Sequence, residues 1–462
     1  MMSVVPGPRA SVEVAPARRC AFAVLRRVFE QGAYADEALQ AECSERDSRD
    51  RGLAMRLSYG TVQRRATLDH IIERLAERRV ARLDPPVLAA LRLGLYELIY
   101  LAGAPDYAVV ADAVELAKAN GRAGHGLVNA VLRRAGREGP QALLGDLSEQ
   151  TPEQAALTHS HPEWIASMWW EELGAAGARA LMAADNEPGE VALRANTLRT
   201  DAATLAGELA VPTHLDGEIP EALVLEGPLD MHGSPLWRAG SFIAQSRAAM
   251  LVAHSLAPLP GERVLDLCAA PGGKSTHLAA LMGGEGEVVA VERNPSRAGA
   301  LVRTAERLGA TNVRVEVADA ASPRSEGPVF DRVLVDPPCS GLGTLQARPD
   351  LRWRLAPGAV REMALVQERI LAAAAEALRP GGLLVYSTCT ISPTENEGLI
   401  AAFLESHPEL SIDDLAAERP RFAAGGSVAS GDRASPIRER CLLTLPHRDG
   451  TAGFFIARLR RS

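Results

Sequence analysis

Val264-Leu265-Asp266-Leu267-Cys268-Ala269-Ala270-Pro271-Gly272-Gly273-Lys274 reads as an apolar strand, a glycine loop and the first turn of a helix. A glycine loop in that position brings backbone amides close to an anionic or polar ligand. Its spacing is not Gly-x-x-x-x-Gly-Lys-Ser/Thr, which excludes a P-loop, and not Gly-x-Gly-x-x-Gly, which weakens a dinucleotide reading. From Gly240 onward, strand patterns over 264–267, 288–291, 313–317, 333–335 and 383–386 alternate with helix patterns over 274–281, 295–308, 360–378 and 395–405. Two late strands follow near 441–445 and 454–459. The alternation predicts a doubly wound α/β sheet with its ligand crevice at the carboxyl ends of the strands.

The strand ends carry the chemistry. Glu292 closes the second strand, where a carboxylate can accept both hydroxyls of a ribose; its bland reading is a surface acid. Asp319 follows the third strand, within reach of an adenine amino group. Acidic strand ends without a phosphate grip fit S-adenosyl-L-methionine better than NAD. Two further loops follow neighbouring strands: Asp336-Pro337-Pro338-Cys339-Ser340-Gly341, and Ser387-Thr388-Cys389-Thr390. Two thiols and a carboxylate beside such a cofactor suit methyl transfer to C5 of a pyrimidine. Carbon 5 of cytosine is a poor nucleophile, but a thiolate adding to C6 makes an enamine whose C5 can attack a sulfonium methyl. Asp336 would hold or protonate N3. The residues alone leave open which thiol attacks.

A chain of 462 residues with 47% hydrophobic and 23% charged residues is expected to form two or three globular domains. No apolar run is long enough to span a membrane, and the first residues lack a signal-peptide core, so the expected place of work is the cytoplasm. The six cysteines are scattered with no Cys-x-x-Cys pair, which indicates neither a disulfide framework nor a metal site. Cys20, Cys43 and Cys441 read as core or surface residues, and Cys268 as a backbone contributor with a packed thiol. Net charge is −8, so any nucleic-acid contact needs a local basic face. Arg64 to Arg92 supplies one candidate, and Arg133, Arg134 and Arg137 another. Lysine occurs only at Lys118 and Lys274, the second where a compact ammonium is expected to be needed.

Residues 17–140 are helical by period, with stripes such as Leu68, Ile71, Ile72 and Leu75. Residues 1–16 read as a disordered tail, and 141–240 as a small α+β domain with a strand at 190–196 and a helix at 200–208. Its tryptophans Trp164, Trp169 and Trp170 are expected to pack at a domain interface, with base stacking the lesser option. Residues 419–436 read as a mobile loop, and 241–462 as the Rossmann-like domain.

Leu91-Arg92-Leu93-Gly94-Leu95-Tyr96-Glu97-Leu98, then Ala113-Val114-Glu115-Leu116-Ala117-Lys118, then Val128-Asn129-Ala130-Val131-Leu132-Arg133-Arg134 resemble the NusB-type RNA-binding helical domain. The glycine loop, Asp-Pro-Pro-Cys-Ser-Gly and Ser-Thr-Cys-Thr, in that order, resemble the RNA cytosine-C5 methyltransferases. Together with the front end, the chain is similar to the Sun-type bacterial small-subunit rRNA methyltransferases. The resemblance implies S-adenosylmethionine-dependent formation of 5-methylcytosine in 16S rRNA. It implies Cys389 as nucleophile, Cys339 as the release thiol, and Asp336 beside them. It also implies cofactor contacts from Cys268, Ala269, Ala270, Pro271, Gly272, Gly273, Lys274, Glu292, Asp319 and Asp336, with no metal. Gln346, Arg348, Pro349, Asp350, Arg352 and Trp353 form the loop expected to grip RNA. Gln245-Ser246-Arg247 departs from the family's acidic Gln-Asp-Glu, and Ala452 stands where Asp is expected before Gly453. The alternatives are a tRNA cytosine-C5 methyltransferase and a non-catalytic NusB-like RNA-binding or assembly factor.

Overall fold

The computed structural model describes residues 13–462 except 45, 122, 326 and 428–434. Two compact units emerge. The first is the chain up to Trp170 together with Arg348–Arg354; the second is Glu171–Ala347 and Leu355–Ser462.

Helices build the first unit: α1 (Pro16–Gln31), α2 (Ala35–Cys43), α3 (Ser48–Gln63), α4 (Arg65–Ala76), α5 (Pro85–Tyr100), α6 (Asp106–Asn120), α7 (His125–Leu144) and α8 (Pro152–Thr158). Proline opens α1 and α5, where a missing N–H is harmless. The Asp47 carboxylate caps α3 by accepting from the Asp50 amide at 2.8 Å. Helix α5 is buried on nearly every side, from Val87 to Leu95, so it forms the centre against which the others pack. The Arg18 guanidinium joins α1 to this core by donating to Glu97 and Asp112, at 2.5 and 2.8 Å. Of the expected tail, residues 1–12 lie outside the described residues, and α1 already begins at Pro16. Trp169 is fully buried, edge-on to His161 at 5.5 Å, so it packs and offers no face for a base.

The second unit holds two sheets. The smaller one comprises β1 (Ala192–Ala195), β2 (Thr213–Leu215), β3 (Ala222–Leu225) and β4 (Phe242–Ala244), antiparallel in the order β2-β3-β1-β4. Helices 202–208 and 235–238 complete a βαββαβ pattern, the ferredoxin-like arrangement.

The larger sheet contains β5 (Arg263–Leu267), β6 (Glu287–Val291), β7 (Val313–Glu316), β8 (Phe330–Val335), β9 (Leu378–Thr388), β10 (Leu410–Ile412), β11 (Leu442–Thr444) and β12 (Phe454–Arg461). Its order is β10-β12-β9-β8-β5-β6-β7, with β11 pairing β12. Strands β7, β6, β5, β8 and β9 run parallel, and β12 inserts antiparallel beside β9. Strand β5 is buried from Val264 to Leu267, as expected of a central parallel strand covered on both faces. The chain winds outward in both directions from the β5–β8 pair, which makes that pair the topological switch point. Of the loop expected over 419–436, residues 428–434 lie outside the described residues, while 420–422 and 424–427 form short 3-10 turns.

Candidate active site

At the switch point the glycine loop leaves β5 and turns into helix 273–281. Cys268 takes a left-handed φ of 65°, a conformation a non-glycine residue adopts at a cost of about 1–3 kcal/mol. Gly272 follows at φ 99°, where a Cβ would also stand 3.1 Å from Leu301. A cleft of about 120 Å³ opens here, lined by Gln245, Asp266, Cys268–Pro271, Gly273, Lys274 and Asp336 among others. Burial and the neighbouring acids push the Cys268 thiol up to about 12, so it stays protonated and serves as packing.

Asp266 is the acid that sequence reasoning passed over. It is fully buried, its Oδ2 accepts from the Ser275 hydroxyl at 2.6 Å, and its Oδ1 has no partner. Burial raises its pKa to about 7. A carboxyl group with one unused oxygen beside a cleft fits the cationic end of S-adenosylmethionine, which would supply the missing partner. On the next strand, Glu292 is 3% exposed and hence not a surface acid. Its carboxylate accepts from the Asn294 amide at 2.9 Å and faces Arg297 at 3.3 Å. Arg297 also donates to the Ala270 carbonyl at 3.0 Å, tying this acid to the glycine loop. Asp319 lies beyond the end of β7, exposed, its Oδ1 accepting from the Ala321 amide at 3.0 Å. Neither Glu292 nor Asp319 lines the cleft itself; Glu292 directly follows β6, the strand beside β5, and Asp319 lies past the end of β7, one strand further out.

The other side of the switch point brings the thiols together. Loops leaving the adjacent parallel strands β8 and β9 place Cys339 Sγ 3.3 Å from Cys389 Sγ. Asp336 is beside them, its Oδ2 accepting from Lys274 Nζ at 2.6 Å and its Oδ1 from the Ser387 hydroxyl at 3.0 Å. The hydrogen bond with Cys389, burial, and the charges of Glu395 and Asp336 push the Cys339 thiol well above its ordinary value. Cys339 therefore keeps its proton. The charges of Asp336 and Cys389 in turn raise the Lys274 ammonium against the opposing effect of burial.

A buried polar layer joins the two cysteine loops. Glu395 accepts from the Ser340 amide at 2.8 Å and from Gln367 at 2.9 Å. Ser340 and Thr390 share a hydrogen bond of 2.7 Å, and the Tyr386 hydroxyl donates to the Glu395 carbonyl at 2.7 Å. Asn396 accepts from Thr388 and donates to the Thr390 carbonyl, at 2.6 and 3.1 Å. Sequence reasoning missed this layer; the polar Thr394-Glu395-Asn396 shortly after Cys389 was its only trace. Gly343 and Gly453 sit backbone to backbone, and a Cβ on Gly343 would lie 2.0 Å from the Gly453 carbonyl.

The two departures from the family pattern have local explanations. Ser246 caps helix 247–256 by accepting from the Ala249 amide at 3.3 Å, as an aspartate there would. Arg247 pairs with Glu190 at 2.6 Å and Asp216 at 2.8 Å, so the reversed charge is compensated. The Ala452 carbonyl accepts from the Thr444 hydroxyl at 2.7 Å, a contact that needs no side chain at 452. The loop expected to grip RNA is corrected in part: Arg352 is fully buried in the helical unit, donating to the Gln63 and Ser160 carbonyls at 3.4 and 3.2 Å. Arg348 is exposed.

Glu221, His254 and His277 form a separate cluster whose ligand-type atoms lie within 4.8 Å of one another. Both imidazole Nε2 atoms meet one Glu221 oxygen, at 2.7 and 2.5 Å. Ligands sharing a tetrahedral zinc stand about 3.3 Å apart, so these contacts are hydrogen bonds bracing the second unit.

The parallel sheet with one reversed strand, and a cleft at its switch point flanked by acids, define a methyltransferase that uses S-adenosylmethionine. Residues 253–460 match the family model described as 16S rRNA methyltransferase RsmB/F, 15–137 match the NusB family, and 161–232 match the ferredoxin-like domain of RsmF/B-like methyltransferases. The chain is 36% identical to the probable ribosomal RNA small subunit methyltransferase B of Synechocystis sp., over 96% of this chain and 99% of that one. Against the probable ribosomal RNA small subunit methyltransferase B of Bacillus subtilis it is 35% identical, over 96% and 98%. The crystal structure of PH0851 matches with a TM-score of 0.79 at 26% identity, covering 98% of this chain and 100% of that one. The chain belongs to the ribosomal RNA small subunit methyltransferase B family, and it methylates ribosomal RNA with S-adenosylmethionine.

Proposed function

We propose that the enzyme methylates C5 of a cytosine in 16S rRNA through a covalent bond between Cys389 and C6. The observation that carries this reading is the pair of thiols 3.3 Å apart next to the Lys274–Asp336 ion pair. Of the two sulfurs, Cys339 holds its proton and can donate to Cys389, which leaves Cys389 to act as the thiolate. The nearby Lys274 ammonium favours that anion.

Bound S-adenosylmethionine supplies an electrophilic methyl on a sulfonium. Gln245, Asp266, the backbone of Cys268–Gly273, Lys274 and Asp336 would hold it, with Glu292 and Asp319 serving its ribose and adenine. Addition of the Cys389 sulfur to C6 pushes electrons onto N3, which takes a proton passed from the Lys274 ammonium through Asp336 and returns it by the same route before the Sγ–C6 bond breaks. After the methyl arrives at C5, the C5 proton leaves to water and the Sγ–C6 bond breaks, returning its electron pair to Cys389. The Cys339 S–H stabilises that departing thiolate by a hydrogen bond.

Bisulfite sequencing of 16S rRNA from cells lacking the gene tests the proposal. One protected cytosine is expected to become convertible and to regain protection when the parent gene is restored. An unchanged protection pattern would overturn C5 methylation of this RNA.

A further inference from the structure

We propose that the helical unit holds a binding site for one unpaired nucleotide of the ribosomal RNA, separate from the cleft that receives the target base. The proposal rests on rRNA as substrate and not on which atom is methylated.

The site is a cavity of about 710 Å³ lined by Phe29, Arg65, Asp69, Arg92, Trp353 and Arg354 among others. Its size falls in the range of small-ligand pockets, about 300–1,000 Å³. It lies wholly in the first unit, because Trp353 and Arg354 belong there.

Three arginines and three acids line it, but each acid is already engaged, Glu30 by Arg26 from outside the cavity at 2.7 Å. Arg92 is bidentate on Asp69, at 2.7 Å to each oxygen. Arg354 pairs with Asp350 at 2.6 Å and also donates to the Gly32 carbonyl at 2.9 Å. Arg65 is left over. Among the described residues its guanidinium makes no hydrogen bond, and its nearest acid is Asp69, 3.9 Å away and already engaged by Arg92. Burial and the Arg92 charge both act against the Arg65 cation, so an anion in the cavity would relieve it. Of the arginines between Arg64 and Arg92, Arg65 is therefore the one the cavity offers to a phosphate, whereas Arg74 and Arg92 are spent on internal acids.

The walls add planar surfaces. The Arg65 guanidinium lies 5.2 Å from the Trp353 ring centre and 5.6 Å from that of Phe29. Arg92 covers Phe29 at 4.5 Å. Trp353 is fixed by its indole N–H, which donates to the Val62 carbonyl at 2.8 Å, so the ring is held before a ligand arrives. Unpaired bases stack on aromatic rings and on guanidinium planes, while their phosphates take a cation. An acidic peptide would satisfy Arg65 but leave these faces unused, so the nucleotide fits better.

The test uses the full chain, tritiated S-adenosylmethionine and unmethylated 16S rRNA transcribed in vitro. Arg65→Ala is expected to raise KM for the RNA about tenfold while lowering kcat less than twofold, and to make the salt dependence of log Kd shallower by about one. Arg65→Lys should keep the salt slope but recover only part of KM. Ultraviolet crosslinking followed by mass spectrometry should place a nucleotide on Phe29 or Trp353, and it requires no methyl transfer, so failure of the C5 reading leaves it intact. Parent-like KM and salt slope in Arg65→Ala, crosslinks confined to other residues, or a protein segment crosslinked at the cavity would each overturn the proposal.

Discussion

Two pairs of cysteines in this chain touch, and only one carries the proposed chemistry. Cys20 and Cys43 meet in the helical core, both buried, and Cys43 is pushed up to about 12 by burial and by its hydrogen bond to Cys20. Cys339 and Cys389 meet on loops at the carboxyl edge of the sheet, half-buried, beside an ammonium and above a hydrogen-bonded polar layer. Contact between thiols is thus common to both pairs. What separates them is a neighbouring cation, partial exposure, and loops fixed from beneath. Reactivity follows from that setting, because the thiolate and not the thiol is the nucleophile.

Substitution at Cys389 should break the comparison most sharply. Cys389→Ala is expected to lose methyl transfer by on the order of 10⁴-fold or more while binding S-adenosylmethionine as the parent does. Residual activity near the parent's, measured by tritium transfer to 16S rRNA, would remove Cys389 from the mechanism. Cys339→Ala should slow turnover about 10²-fold and leave an RNA–protein adduct on a denaturing gel. A mutant that turns over freely without adduct would deny Cys339 its part in release.

The core pair gives the contrasting result. Cys43→Ala should lose about 1–2 kcal/mol of stability in chemical unfolding and keep kcat within twofold. Loss of kcat without loss of stability would mean that the two pairs are not so different.

His277 supplies the smallest effect and extends the comparison to a group that burial shifts without chemistry. Burial pushes it down to about 3. The ordinary imidazole value is about 6.5, so between these limits the unfolded chain binds the extra proton. Its contribution is then fully present above about pH 6.5 and is lost as pH falls toward 3, with a slope of at most about 1.4 kcal/mol per pH unit. His277→Gln should flatten the acid limb of an unfolding-midpoint profile; an unchanged limb would show that other groups set it.

Much of the catalytic half was legible because its signals are local. Apolar runs ending in Cys268–Gly273, Asp336–Cys339 and Thr388–Cys389 mark strand ends, and parallel strands put such ends side by side. Asp266 was not legible, since one acid inside a Val-Leu-Asp-Leu run says nothing of its buried, half-satisfied state. Strand β10 spans only Leu410–Ile412, too short for a period to register. Glu221, His254 and His277 come from separate segments and converge only in three dimensions. Arg352 misled because a polar side chain in a loop reads as exposed, whereas here it is swallowed by the helical unit.

The placement of Arg348–Arg354 restricts how the molecule can be divided. The chain passes between its units at 170/171, at 347/348 and again at 354/355. A fragment beginning after the helices would therefore carry Trp353 and the buried Arg352 away from the sockets that hold them, setting a hydrophobic ring and an unmatched cation loose in solvent. Excising the catalytic half as a minimal enzyme calls for replacing that short excursion, and a simple cut between the halves should yield a sticky, poorly behaved protein.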